Sequence, residues 1–218
     1  KPANRNDVQN FYPGEAQLAW AERYLETRDQ ALLDRFMASF AYYRDWHRAQ
    51  KNPAFIPWHT QAYYMVWRQT RNPDLREFVL EMNDWLLAMQ QWDDLEYADM
   101  QGRYHDPSHP EYGPPHASST GVYLEGLIDA FAMARELGDD LRATAYRRAI
   151  VRGLRSSLQL CFSDDLHMFY INKRKRLRGG LRTTIYDNVV RVDNVQHVQL
   201  AVLKILAVFE PQDWAVVD

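Results

Sequence analysis

The chain has 218 residues, a formal net charge of −3 and a single cysteine, Cys161. That length suits a domain with a substantial core. The charge gives no general attraction to nucleic acid or anionic membrane, and one cysteine excludes an internal disulfide framework and a thiolate zinc site. No apolar run approaches the roughly 18 residues needed to cross a bilayer, and no signal segment is visible, so a soluble chain is expected.

The first predicted element opens at "FYPGEAQLAW", a Pro-Gly pair placed directly before Glu15 and an apolar run. From Gly14 to Glu26, Leu18, Ala21, Tyr24 and Leu25 recur at the three-and-four spacing of an amphipathic helix. After "TRDQ" the pattern resumes from Ala31 to Trp46, so the two helices read as an antiparallel hairpin. A second hairpin follows over Trp58–Gln69 and Leu75–Trp92, turning at "TRNPDL". A third runs over Thr120–Glu136 and Leu141–Leu160, turning at "LGDD". A single helix opens at Asp193 and ends before Pro211. Repetition of this kind marks stacked or ring-like helical architectures.

Registering the repeats on Thr27, Thr70 and Leu137 places Glu15, Trp58 and Glu125 at one equivalent position, twelve residues upstream in each case. Two links stand out. The stretch from Asp93 to Ser119 is rich in Pro, Gly, His and Tyr, and a loop of that length is functional or disordered; its aromatics argue against disorder. Near 166–192, "HMFYI", a Gly-Gly signal and the β-branched "TTIYDNVVRV" predict an inserted β-hairpin with the basic run at its tip. The fold class is therefore all-α with one β-hairpin.

In a ring of hairpins the first helices face inward and their starts converge on one end of a central cavity. Here the starts supply Glu15 and Glu125, His59, His116 and His197, the pair Arg191 and Asp193, and the rings of Tyr12, Trp58 and Tyr123. Aromatic plates with convergent polar groups suit a saccharide, whose apolar face stacks while its hydroxyls need partners. Paired carboxylates can act on a glycosidic bond, and imidazoles on opposite sides of a sugar carbon can take and return a proton. Glu15, Glu125, His59 and His197 are the candidate catalytic residues. Tyr12, Trp58, His116, Tyr123, Arg191 and Asp193 are the candidate substrate contacts.

Each has a structural alternative. Glu15 complements a helix dipole. Glu125, flanked by apolar residues, requires a partner if buried, and a core arginine would serve as well as a ligand. His59 could cap or pack, Asp193 could hold His197 one turn on, and Asp193 or Asn194 could cap. His105, His109 and His116 with Asp106 and Glu111 match no zinc spacing, so neither metal nor cofactor is expected. The run Lys173, Arg174, Lys175, Arg176 and Arg178 reads as a solvated tip or as a clamp for an anionic polysaccharide. Nucleic acid is not expected, since no stacking sheet or groove-reading helix accompanies that run.

The segments "YPGEAQLAWAERYLETRD", "PWHTQAYYMVWRQTRNPDL", "STGVYLEGLIDAFAMARELGD" and "RVDNVQHVQLAVL" resemble successive repeats of the α/α-toroid, or six-hairpin, superfamily. That group includes N-acylglucosamine 2-epimerase-like proteins, glucuronyl epimerase-like domains and glycoside hydrolase families. The resemblance implies one toroid-like domain over residues 1–218 with an axial saccharide cavity. Three hairpins and one helix fall short of a full ring, so an incomplete toroid or part of a longer protein is expected, with apolar flanks that invite a partner or a second copy. The expected function is a carbohydrate-active enzyme, a sugar epimerase or isomerase or a glycan-cleaving enzyme. The alternatives are a non-catalytic helical scaffold and a glycan-binding domain.

Overall fold

The computed structural model describes residues 6–163, 165 and 168–215. Helices α1 (Tyr12–Thr27) and α2 (Gln30–Ala49), α3 (Ile56–Thr70) and α4 (Pro73–Leu87), and α5 (Ala117–Leu137) and α6 (Asp140–Gln159) form the three expected hairpins. A four-residue α7 (Arg174–Leu177), strands β1 (Arg182–Thr184) and β2 (Asp187–Val190), and α8 (Val192–Val208) complete an all-α chain with an inserted antiparallel pair. Among the described residues no helix is long and apolar enough to cross a membrane. The chain divides into two compact units, Lys1–Ala88 with Asp129–Ala143, and Met89–Ile128 with Thr144–Asp218.

The first unit holds all three hairpin turns, and they are one device written three times. Thr27 and Thr70 each donate their hydroxyl to the carbonyl four residues back, at 2.9 and 3.0 Å. The next residue enters the left-handed region, Arg28 at φ 56° and Arg71 at φ 54°. Asp29 and Asn72 then accept from the backbone N–H groups of Ala31 and Asp74 at 2.9 and 2.8 Å, capping the second helix. At the third turn Gly138 takes the left-handed position, φ 69°, and Asp139 accepts from Arg142 N–H at 3.1 Å. The equivalence of Thr27, Thr70 and Leu137 read from the sequence thus corresponds to matched backbone conformations.

The core of this unit is aromatic. Tyr63 meets Phe36, Phe40 and Phe78 edge-on or tilted at 5.0–6.0 Å. Phe55 lies between two imidazoles, stacked on His59 at 3.5 Å and on His47 at 4.6 Å. Gly14 lets α1 approach α3, because a Cβ there would come within 2.8 Å of the His59 ring and 2.9 Å of Trp58 Cβ. Buried Asn83 of α4 donates to the Thr60 hydroxyl of α3 at 2.9 Å.

Burial holds the two imidazoles neutral, lowering the pKa of His47 to about 4 and that of His59 to about 3. Above pH 6.5 both are neutral whether folded or not. As the pH falls from 6.5 toward 4, the unfolded chain takes up protons that the folded chain refuses, so stability falls. Each histidine contributes about 1.4 kcal/mol per pH unit across that window. Denaturant unfolding between pH 7 and 4.5 should show this slope, and His47→Leu should remove about 1.4 kcal/mol per pH unit of it. An unchanged slope in that variant contradicts the assignment.

In the second unit, Ala117, Leu160, Leu181 and Val198 form an apolar cluster joining α5, α8 and the segment before β1. Gly121 lets α5 and α8 touch, since a Cβ there would lie 2.7 Å from the Val198 backbone nitrogen. Helix α4 was expected to run to Trp92, but regular helix ends at Leu87. The backbone beyond pairs elsewhere: Gln90 bridges Tyr104, Gln91 N–H donates to Arg103 O at 2.9 Å, and Gly102 N–H donates to Gln91 O at 2.7 Å. The Gln90 side chain also donates to Ala149 O at 2.8 Å. The long loop is closed by these bonds.

The inserted hairpin is shorter and later than its sequence suggests, and of the expected span Leu166 and His167 lie outside the described residues. The Gly-Gly pair sits at the base of the excursion and not at its tip. Gly179, at φ 84°, and Gly180 exchange backbone bonds with Phe162 at 2.9 Å, and Cys161 bridges Leu181. The β turn itself falls at Ile185–Tyr186. The basic run is carried by the short α7, where no strand partner is needed.

Candidate functional site

The second unit gathers several of the expected site residues. Glu125, on the third turn of α5, is only 5 % exposed, and its Oε1 lies 2.8 Å from His197 Nδ1 on α8. The closeness comes from Gly121 one turn earlier, and Lys204 of α8 donates to the Glu125 backbone carbonyl at 2.7 Å. The sequence suggested Asp193 as the holder of His197 and left a core arginine open for Glu125. Instead the two candidates hold each other across 72 residues of chain. Asp193 forms a two-point ion pair with Arg191, at 3.0 and 2.5 Å. It is not the N-cap of α8, a position held by Arg191 without a side-chain cap, but its Oδ1 accepts from the Asn194 backbone N–H at 3.1 Å within the first turn.

A carboxylate bonded to Nδ1 orients the ring and stabilises the imidazolium that forms when the opposite nitrogen accepts a proton. His116 stands close by. Its Nδ1 accepts from Ser119 N–H at 3.0 Å, closing the first turn of α5. Burial, the Arg191 guanidinium and His197 lower its pKa, against a smaller opposing effect from Asp193.

His116 also lines a small recess with Asp99, Arg103, Pro115, Thr120 and Ser156, and Thr183 and Thr184 of β1 complete its lining. The recess wall is polar where Arg103, Thr120 and Ser156 meet it and apolar at Leu160 and Ile185. Burial depresses the pKa of the Arg103 guanidinium. Sequence reading placed none of Asp99, Arg103, Thr120 or Ser156 in a site. The signal was present only as Gly102, a glycine before a charge inside a long loop already marked as functional.

The remaining candidates fall in other settings. In the first unit Glu15 and Tyr12 are exposed on the first turn of α1, and Trp58 meets Phe11 edge-on at 6.1 Å. His59 has no exposed surface, and its Nδ1 is 2.7 Å from Phe55 O. An imidazole so placed packs and does not meet a ligand. Tyr123, 5 % exposed, packs against Tyr104 at 5.3 Å and offers no open face to a sugar. Both belong to core packing where the sequence suggested a site.

Of the basic run, Arg174 donates to the carbonyls of Ile171 and Phe169, and Arg178 pairs with Asp165 at 3.3 Å. Among the described residues no three His, Cys, Asp or Glu side chains converge as metal ligands do. No family model, curated protein or solved structure matches the chain.

Proposed function

We propose that the protein is a carbohydrate-active enzyme of the epimerase or isomerase kind, in which the Glu125–His197 pair moves a proton at a sugar carbon. The observation that carries this reading is the buried carboxylate held 2.8 Å from His197 Nδ1. Burying a carboxylate is costly, and coupling it to an imidazole is the arrangement of a positioned acid–base group. Because the Glu125 carboxylate is committed to His197, it is less suited to donating a proton to a glycosidic oxygen. The proton-transfer form is therefore favoured over two-carboxylate cleavage. The four helix openings that resemble α/α-toroid repeats support a saccharide as the ligand.

The test is incubation with a panel of neutral and acidic saccharides, reading stereoisomers and chain length, with wild type beside His197→Gln. A new stereoisomer made only by wild type supports the reading. Shortened chains replace it with glycan cleavage, and the absence of both binding and turnover overturns it.

A second reading, a helical scaffold, has its own observation. Val192, Leu200, Leu203 and Leu206 lie exposed along α8, at 82, 41, 55 and 62 %. Contiguous apolar surface of this kind marks interaction sites. Binding of a protein partner with no saccharide activity would favour it.

A further inference from the structure

The excursion between Phe162 and Arg191 concentrates positive charge that the whole-chain value of −3 conceals. Residues 166–186 hold six basic side chains and no acidic one. Three of the six are engaged: Arg174 with the carbonyls of Ile171 and Phe169, Arg178 with Asp165, and Arg182 with Gln159 O at 2.9 Å. Lys173, Lys175 and Arg176 are exposed and form no ion pair among the described residues.

Exposed apolar side chains stand beside these cations. Phe169 is 72 % exposed and Tyr186 is 70 % exposed. Val189 and Val190 are both exposed as well, although successive residues of a strand point to opposite faces. Both faces of β2 are therefore uncovered, and a two-stranded pair is marginal in water without further packing. Short contacts gather the groups into one body. The Tyr170 hydroxyl donates to Asn188 Oδ1 at 3.1 Å, and the Arg174 bonds tie the start of α7 to the turn at Phe169. A Cβ on Gly180 would lie 3.5 Å from Val190 Cγ1, so β2 stands against the end of the basic run.

Unpaired cations beside exposed rings and aliphatic side chains fit a surface that is anionic at its face and apolar just beneath. A bilayer containing anionic lipid has that layering: its surface potential attracts Lys and Arg, and aromatic side chains sit at headgroup level. A nucleic acid would neutralise the cations and stack on the rings, but it offers Val189 and Val190 nothing to bury against. We infer that this excursion docks the protein on an anionic lipid surface, with Lys173, Lys175 and Arg176 meeting the headgroups and Phe169, Tyr186 and Val189 entering the interface. The contact is peripheral and independent of the saccharide reading.

Co-sedimentation of the whole chain with vesicles of phosphatidylcholine alone, and of phosphatidylcholine mixed with phosphatidylserine, tests it. The mixed vesicles are expected to bind about tenfold or more tightly, and raising the salt from about 0.1 M to about 0.5 M should remove most of that difference. Combining Lys173→Glu, Lys175→Glu and Arg176→Glu should weaken binding to the mixed vesicles about tenfold or more. Phe169→Ser with Tyr186→Ser should weaken it about tenfold through lost apolar burial, with the circular dichroism of both variants unchanged. Equal binding to the two vesicles, binding to neither, or tighter binding of single-stranded RNA than of the mixed vesicles would each overturn the inference. So would normal binding by either variant. The lipid and salt dependence of the wild type decides the matter should a variant fail to fold.

Discussion

Glu125→Gln is expected to lower saccharide turnover about 10²- to 10⁴-fold, the span typical of a positioned acid–base group, while shifting the melting temperature by only about 2–4 °C, the equivalent of some 1 kcal/mol. Glutamine keeps the size of the side chain, and its Oε1 still accepts from His197 Nδ1–H. It loses the negative charge that makes an imidazolium at His197 accessible. The Gly121 approach and the bond from Lys204 to the Glu125 carbonyl both involve backbone and survive the change. Parallel assays of turnover and thermal unfolding separate the two roles. Lost stability with intact turnover would make Glu125 a structural tie between α5 and α8.

The largest stability effect is expected at Gly102. Its φ of +90° favours glycine, and a Cβ added there would lie 1.9 Å from the backbone oxygen of Arg152. That oxygen belongs to α6 and has no rotamer by which to retreat. Left-handed strain and overpacking each cost about 1–3 kcal/mol, so Gly102→Ala should destabilise by about 3 kcal/mol or more and lower the melting temperature by about 10 °C. Gly113 is the control. Its φ is +88°, but nothing lies within 4 Å of its added Cβ, so Gly113→Ala carries the strain without the collision. The difference between the two variants in thermal unfolding measures the contact with α6, and equal losses would contradict it. Because Arg103 follows directly, Gly102→Ala should also disturb the bond from its guanidinium to Gln91.

The hairpins were legible in the sequence because their signals are local. Thr-Arg-Asp, Thr-Arg-Asn and Leu-Gly-Asp each carry a left-handed position and a capping side chain within three residues, and the apolar spacing on either side is regular. The early end of α4 was hidden because Gln90 and Gln91 are recruited by Gly102–Tyr104, a pairing that helical periodicity does not report. The true position of the Gly-Gly turn depended in the same way on Phe162.

In the candidate site, Glu125 stood out as a carboxylate among apolar neighbours, but its bond to His197 is tertiary and separated by 72 residues. Asp193, nearer in sequence, was taken by Arg191. His59 and Tyr123 carry polar groups at helix starts as ligand-binding residues do, and only packing distinguishes a stacked core imidazole from an accessible one. Arg103 was missed because an arginine in a polar loop has the same local sequence whether it is solvated or half-buried.

The most direct test of the proposed chemistry is the deuterium content of sugar recovered after turnover in heavy water, with wild type and Glu125→Gln side by side. Proton transfer through the Glu125–His197 pair predicts solvent deuterium at one ring carbon from the wild type and almost none from the variant. Sugar that turns over without taking up deuterium, or equal labelling by both proteins, would contradict it.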